Sequence, residues 1–311
     1  MNTLLVTGSK GLIGTALTVC LNQLGFGFKP FDVCFEQDHP GSGDICDKKS
    51  IRKAVEECIG IIHLAGTSRV ILGEKDPELC WKQNVKGTEN VIEAALNSPL
   101  KPWVVYSSSR EVYGQQDLLP VAEDTVLRPM NVYAHSKVAA EKIVKDAREE
   151  GLVTSVLRFS NVFGSPFDHE DRVIPAFCRA ALLGENLYVE GAENTFDFTF
   201  VDDVVRGIIA VIGILTKNPQ NLPSIHFTTG RGITLREAAS IITDRAKSFS
   251  SIKEVPPRSF DVSRFYGNPS RAKELLGWTP QFSFEEAIDR FLSSLEKHLR
   301  SQNILFDRSA A

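Results

Sequence analysis

The sequence predicts an α/β fold: a doubly wound parallel sheet with a smaller α/β lobe in the C-terminal part of the chain. Three observations predict it. The chain opens on a short apolar run, Leu4-Leu5-Val6, which leads into glycines at 8, 11 and 14 and then a helical pattern. Buried-strand and helical patterns then alternate as far as Phe159, as expected for parallel strands joined by crossover helices. After Gly164-Ser165-Pro166 the alternation gives way to shorter, less regular pieces and a helix-rich end.

Composition narrows the class. A chain of 311 residues, 42% hydrophobic and 24% charged, has the make-up of a soluble globular protein large enough for a core and a second lobe. The net charge of −4 gives no general basic field, so neither nucleic acid nor an anionic membrane is an expected partner. An anionic substrate would have to be held by local arginines. The six cysteines form no C-x-x-C pair and no metal-type cluster, and read as reduced thiols of a cytoplasmic protein. No metal site is expected. No basic segment precedes an apolar core at the start of the chain, so no signal peptide is expected. The longest apolar run, Ile208 to Leu215, is too short to span a bilayer.

Gly8, Gly11 and Gly14, with Leu12 and Ile13 between the last two, read as a tight turn opening a helix over residues 11–24. Such a turn takes conformations a Cβ would hinder and lets a pyrophosphate approach amides at a helix N-terminus. A second strand over residues 25–32 ends in Asp32, 24 positions after Gly8. A carboxylate there accepts hydrogen bonds from adenosine ribose hydroxyls and repels a 2′-phosphate, which points to NAD rather than NADP. The alternative is a solvated turn aspartate.

Helical residues 48–58 lead to a buried strand, Gly60 to Gly66, whose small terminal residues leave room for a ligand. His63 within it reads as a packed strand residue rather than an acid or base. A long helix is expected over residues 77–97, a strand from Trp103 into Ser107-Ser108-Ser109, a helix over 131–150 and a strand over 154–159. In the second half, a helix over 172–183 and a strand over 187–190 start the small lobe. Phe198 to Val201 and the helix after it return to the main sheet, followed by Ile225 to Thr228. Helices over 235–249, 271–276 and 284–298 complete the chain, with Ser270 and Ser283 as N-caps. Residues 1–165, with 197–230, form the expected dinucleotide domain; 166–196 and 231–311 form the expected substrate lobe.

Tyr133 and Lys137 lie four apart on one predicted helix, so they face the same way. A free phenol, with a pKa of about 10, is mostly protonated at neutral pH. A lysine cation and a positively charged nicotinamide would stabilise its phenolate, giving a base for a sugar or alcohol hydroxyl as hydride leaves the same carbon. Ser109, at the end of its strand, can hydrogen-bond the reacting oxygen.

Several motifs occur together and in order: the three glycines, Asp32, Gly43-Asp44-Ile45, His63-Leu64-Ala65-Gly66, Asn84-Val85-Lys86-Gly87-Thr88, Ser107-Ser108-Ser109, Val112-Tyr113-Gly114, Tyr133-x-x-x-Lys137, Arg158 to Gly164 and Leu276-Gly277-Trp278-x-Pro280. Together they resemble the NAD-dependent epimerase/dehydratase family, extended short-chain dehydrogenases/reductases acting on nucleotide sugars. The resemblance implies a Rossmann domain and NAD as cofactor. It puts Asp44 and Ile45 by the adenine, and Leu64, Ala65 and Gly66 along the pyrophosphate and ribose, with Asn84 and Ser107 nearby. Ser109, Tyr133 and Lys137 would form a catalytic triad, Lys137 also holding the nicotinamide ribose. Asn161 would meet the phosphates of a nucleoside-diphosphate sugar, and a homodimer is expected through helices 77–97 and 131–150.

Two departures bear on the reaction. Glu111 matches a glutamate of the family's dehydratases and decarboxylases, but Arg110 stands where dehydratases place an aspartic acid, and arginine is a poor general acid. Glu111 reads either as a catalytic base or as a structural partner of an arginine or a backbone amide. Relatives carry a phosphate-binding arginine at the position of Phe196. Either another arginine compensates or the activating group differs from the usual uridine or thymidine diphosphate; Arg258 is the first candidate to compensate, ahead of Arg172, Arg179 and Arg264. The leading reading is an NAD-dependent nucleotide-sugar epimerase working through a transient 4-ketosugar. The alternatives are a 4,6-dehydratase or decarboxylase using Glu111, a ketosugar reductase, and an NAD-sensing protein without turnover.

Overall fold

The computed structural model describes residues 3–258 and 262–305. Its centre is a six-stranded parallel sheet in the order β10-β5-β4-β3-β1-β2. The elements run β1 (Thr3–Thr7), α1 (Leu12–Gln23), β2 (Gly27–Phe31), α2 (Lys48–Val55), β3 (Cys58–His63), α3 (Val70–Lys75), α4 (Pro77–Trp81), α5 (Gly87–Asn97), β4 (Trp103–Ser109), α6 (Val132–Asp146) and β5 (Thr154–Phe159). From β1 the chain first goes to β2 at the edge, then returns to β3 on the other side of β1. The order reverses there, and the crevice beyond the carboxyl ends of β1 and β3 is where such sheets take ligands.

Alternation along each strand builds two apolar layers. Leu4, Val6, Ile62, Val105 and Leu157 face α1 and α8 (Val201–Lys217); Leu5, Ile61, Val104, Tyr106 and Val156 face α2, α5 and α6. Each such aliphatic side chain, fully buried, contributes about 1.5–3 kcal/mol.

The smaller lobe has its own core. Between β5 and α8 lie β6 (Asn161–Phe163), α7 (Val173–Leu183), β7 (Leu187–Glu190), β8 (Thr195–Phe196) and β9 (Phe198–Phe200); after α8 come β10 (Ile225–Phe227), β11 (Ile233–Thr234), α9 (Leu235–Arg245), β12 (Ile252–Val255), α10 (Ser270–Leu276) and α11 (Phe284–Ser301). Phe177, Leu187, Ile242, Ile288 and Phe291 pack together in it.

Four expectations need correction. β9 does not join the main sheet: it pairs with β6 in a two-stranded ribbon, and β10 alone extends the large sheet. The helix over 77–97 is interrupted by a π-helical turn at Lys82–Lys86, which carries Asn84 inward. Ser270 is the first residue of α10 and caps nothing; Pro269 holds the cap position. Ala272 and Trp278, in the stretch assigned to the lobe, pack with the α1–α8 layer, where Trp278 Nε1 donates to the Asp203 carbonyl at 2.8 Å. Ser283 does cap α11, in a reciprocal capping box with Glu286. Residues 306–311 lie outside the described residues.

Candidate active site

A cleft of about 620 Å³ opens along the carboxyl ends of the strands and extends to the smaller lobe. Its first wall is the glycine turn. Gly8 has φ +69°, and a Cβ on it would lie 2.6 Å from the Ala65 amide nitrogen. A Cβ on Gly14 would lie 2.1 Å from the Gly8 carbonyl oxygen. The turn, the end of β3 and the first turn of α1 therefore close on one another without side chains. Gly11 caps α1 with no side-chain acceptor, so the amides at this end are available to an anion.

Asp32 is buried and forked: Oδ2 accepts from the Lys10 amide and Oδ1 from the Cys34 amide, each at 2.9 Å. The fork fixes the carboxylate at the exit of β2, facing the cleft. Asp44 and Ile45 line the same end, Asp44 accepting from the Cys46 amide at 2.8 Å and the Ile45 carbonyl accepting from Asn90 at 2.9 Å. Leu64, Ala65 and Gly66 form the floor.

Asn84 does not line the cleft. It is buried behind Gly66, donating to Ser136 Oγ at 2.9 Å, and its Oδ1 would stand 2.4 Å from a Cβ on Gly66. It buttresses the floor. His63 is buried between Thr7 Oγ1 at 2.8 Å and Thr88 Oγ1 at 3.1 Å, and burial pushes its pKa down to about 3. A neutral, packed histidine is what the strand position predicts.

At the other end, α6 begins at Asn131, whose side chain caps the Ala134 amide at 2.8 Å. The helix brings Tyr133 and Lys137 to the cleft opposite Ser107 and Ser109. Lys137 Nζ donates to the Ser107 carbonyl at 2.9 Å and stands 5.9 Å from the centroid of the Tyr133 ring. Burial lowers the Lys137 pKa to about 8.

The expected stabilisation of the phenolate involves a nicotinamide cation as well as Lys137; the chain's own groups act on the phenol as follows. Burial pushes Tyr133 up to about 12; the Ser109 hydroxyl and the Arg172 charge pull it down, while the Glu111 charge adds to the rise. Desolvation outweighs the rest because the phenolate would lie in a buried wall.

Glu111 lines the cleft next to this group, paired with Arg110 at 2.7 Å. Arg110 rests against the Phe196 ring at 4.7 Å, and its Nε donates to Asn161 Oδ1 at 3.4 Å. Arg258 reaches the cleft wall, but its guanidinium is 3.0 Å from Glu190. Asp261, three residues further on, lies outside the described residues. Arg172 also lines the cleft and donates to the Ser68 carbonyl at 3.4 Å, whereas Arg179 pairs with Glu170 and Arg264 bridges Thr195, both away from it. One residue in the wall has no counterpart in the sequence reading, and another takes a different role there. Arg69, paired with Asp171 of the small lobe, carries no local signal, because the loops meet only in the folded chain. Arg110 was weighed only as an acid, not as a cation resting on Phe196.

The cleft thus joins an anion-binding turn, a ribose-type carboxylate fork and a phenol–lysine–serine cluster, the equipment of a dinucleotide-dependent enzyme acting on a hydroxyl group. The chain belongs to the NAD dependent epimerase/dehydratase family, whose profile matches residues 4–221. NAD is the cofactor of that family, and the glycine turn and Asp32 fit it.

Individual relatives lie further off. The chain is 26% identical to UDP-glucuronate 4-epimerase 5 of Arabidopsis thaliana over 93% of its own length and 74% of that protein's. It superposes on the UDP-glucose 4-epimerase of Thermotoga maritima, solved with UDP-glucose, with a TM-score of 0.87 at 25% identity, covering 96% of this chain and 99% of the other. A dTDP-glucose 4,6-dehydratase of Streptomyces venezuelae, solved with NAD, gives a TM-score of 0.86 at 25% identity over 96% of this chain and 98% of the other.

Proposed function

We propose that the chain interconverts a nucleoside-diphosphate sugar and its C4 epimer through a transient 4-ketosugar. The observation that carries this reading is the convergence of Ser109, Tyr133 and Lys137 in one cleft with the glycine turn and Asp32. Residues 1–165 with 197–230 hold the cofactor: the turn and the α1 N-terminus take the pyrophosphate, Asp32 the ribose hydroxyls, Asp44 and Ile45 the adenine end, and Lys137 the nicotinamide ribose. NAD, when bound, would supply a hydride acceptor and a positive charge.

The chain's own groups then manage the proton. Ser109 hydrogen-bonds the sugar oxygen, and Tyr133 takes the hydroxyl proton as the carbonyl forms and returns it as the alcohol is restored. A phenol near 12 is well suited to the return; positive charge brought into the cleft favours the uptake. Asn161 and Arg258 are assigned to the diphosphate, and Phe196 to the wall of the sugar subsite.

A dehydratase reading is kept alive by Glu111 in the cleft and by the dehydratase among the structural relatives. Arg110 in place of an acid argues for the isomerase. Screening UDP- and dTDP-sugars with NAD, with products read by NMR, separates them. A C4 epimer is expected; a 4-keto-6-deoxy sugar as the main product overturns the isomerase reading.

Among the described residues no helix is long and apolar enough to cross a membrane. Leu72, Leu79 and Trp81 on α3 and α4 are partly exposed next to α6. We assign this face to a homodimer, to be read from the molar mass in solution; a monomer at micromolar concentration contradicts it.

A further inference from the structure

Glu111 stands in the cleft wall close enough to Tyr133 for its charge to raise the phenol's pKa. Once C4 of a bound sugar is a ketone, the hydrogen on C5 is acidic, and a carboxylate so placed can receive it. Both oxygens of Glu111 are already engaged. Oε1 lies 2.7 Å from Arg110 Nη2, and Oε2 accepts from Asn131 Nδ2 at 3.2 Å. A short 3₁₀ turn, Arg110–Tyr113, sets the two residues side by side, and the Glu111 amide donates to Ser109 Oγ at 3.2 Å.

Arg110 is itself held. Its guanidinium carbon lies 4.7 Å from the Phe196 ring centroid and 5.7 Å from that of Phe265, and Nε donates to Asn161. Arg110, Glu111 and Phe196 are all buried. For Glu111 to reach C5, one oxygen must leave a charge-assisted bond inside a buried wall, where such bonds are costly to break. A cation resting on aromatic faces does not follow it outward. The same contact explains two oddities together: an arginine at 110, and a ring where a second arginine at 196 would repel it.

We infer that Arg110 is a positioning residue that holds Glu111 off the C5 hydrogen, so that the 4-ketosugar is returned as an epimer rather than enolised. The inference rests on the ketosugar reading above. In the suppressed step the C5–H bond breaks, its proton passes to a Glu111 oxygen, and the electron pair forms the C4–C5 enolate with the charge on O4. Reversal returns a proton to C5. Loss of the C6 hydroxyl as water would need a further proton donor, which arginine is not.

The test is turnover in D₂O with NAD and UDP-glucose, or UDP-glucuronate if that is the sugar turned over. The C4 epimer and deuterium at C5 are read in one NMR experiment. Wild type gives the epimer with C5 unlabelled. Arg110→Met raises C5 labelling at least about tenfold above the wild-type level; adding Glu111→Gln abolishes the rise, and Arg110→Lys, which keeps a cation there, does not produce it. Should Arg110→Met fail to fold, Arg110→Gln, which can still bond to Asn161, carries the same expectation. Wild type labelling C5 as fast as it epimerises overturns the inference, as does epimerisation by the neutral variants with C5 unlabelled. Absence of any C4 epimer from wild type overturns the proposed function and this inference with it, and is read from a separate resonance.

Discussion

Removing Glu141 from the back of the active-site helix should cost about 3–5 kcal/mol, as expected for breaking a buried ion pair from one side. Tyr133, Lys137 and Glu141 recur every four residues on the buried face of α6. Glu141 receives both Arg158 Nε and Nη2, at 2.8 and 2.7 Å, and the Ser108 hydroxyl at 2.7 Å. Glu141→Ala would leave the buried guanidinium with the Tyr113 hydroxyl at 3.0 Å and the Glu123 carbonyl at 2.8 Å, but no countercharge on its Nε edge. At roughly 2 °C per kcal/mol for a chain of this length, Tm falls by about 6–10 °C. The pair Glu141→Leu with Arg158→Met should recover most of the loss, because neither charge then has to be desolvated. Burial alone would raise the Glu141 pKa; the Arg158 hydrogen bond and charge, with help from Lys145 and Ser108, hold it below the ordinary value. The stabilisation is therefore full above the unfolded carboxyl pKa and lost as pH falls through the lower folded one. Thermal and denaturant melts of the single and double variants decide it. A single-variant cost below about 1 kcal/mol, or a double variant no better than Glu141→Ala, refutes the reasoning.

Other predictions concern the cofactor end and acid stability. Asp32→Ala should weaken NAD binding by about ten- to a hundredfold through the lost ribose bonds, and NADP binding by less, measured by fluorescence titration; equal losses contradict the NAD assignment. His63, depressed to about 3, binds its proton more tightly unfolded, so its contribution is full above the unfolded value near 6.5 and lost as pH falls toward 3. Between pH 7 and 5 this amounts to about 2 kcal/mol, and His63→Asn should remove that much of the acid loss of stability. Asp197, raised to about 6 by burial, acts in the opposite sense, since its protonated form is favoured in the fold. It is common to both proteins, so the difference between them isolates His63. Parallel pH profiles for wild type and His63→Asn contradict the reading.

Much of the glycine-turn end of the cleft was legible because its determinants are local. Three glycines in one turn, a carboxylate at the end of the next strand and small residues closing β3 each need only a few neighbours in sequence. His63 was legible for the same reason, as one buried position in a strand. The Tyr133 end depends on meetings between distant segments. Arg110 finds Asn161 and Phe196 only when the small lobe folds back, and Asn84 turns behind Gly66 only because the helix widens at Lys82–Lys86. The direction of the Tyr133 shift could not be read from a four-residue spacing. Spacing puts the lysine on the same face, but burial sets the direction of the phenol's shift.

The most direct measurement is the turnover of Tyr133→Phe on the epimerised sugar nucleotide, with NAD affinity measured on the same preparation. Loss of the hydroxyl that carries the proton should cut kcat by about 10²- to 10⁴-fold while NAD affinity stays within a few fold. Turnover close to wild type, with NAD bound as before, would mean that another group moves the proton and that the cleft does not work as described.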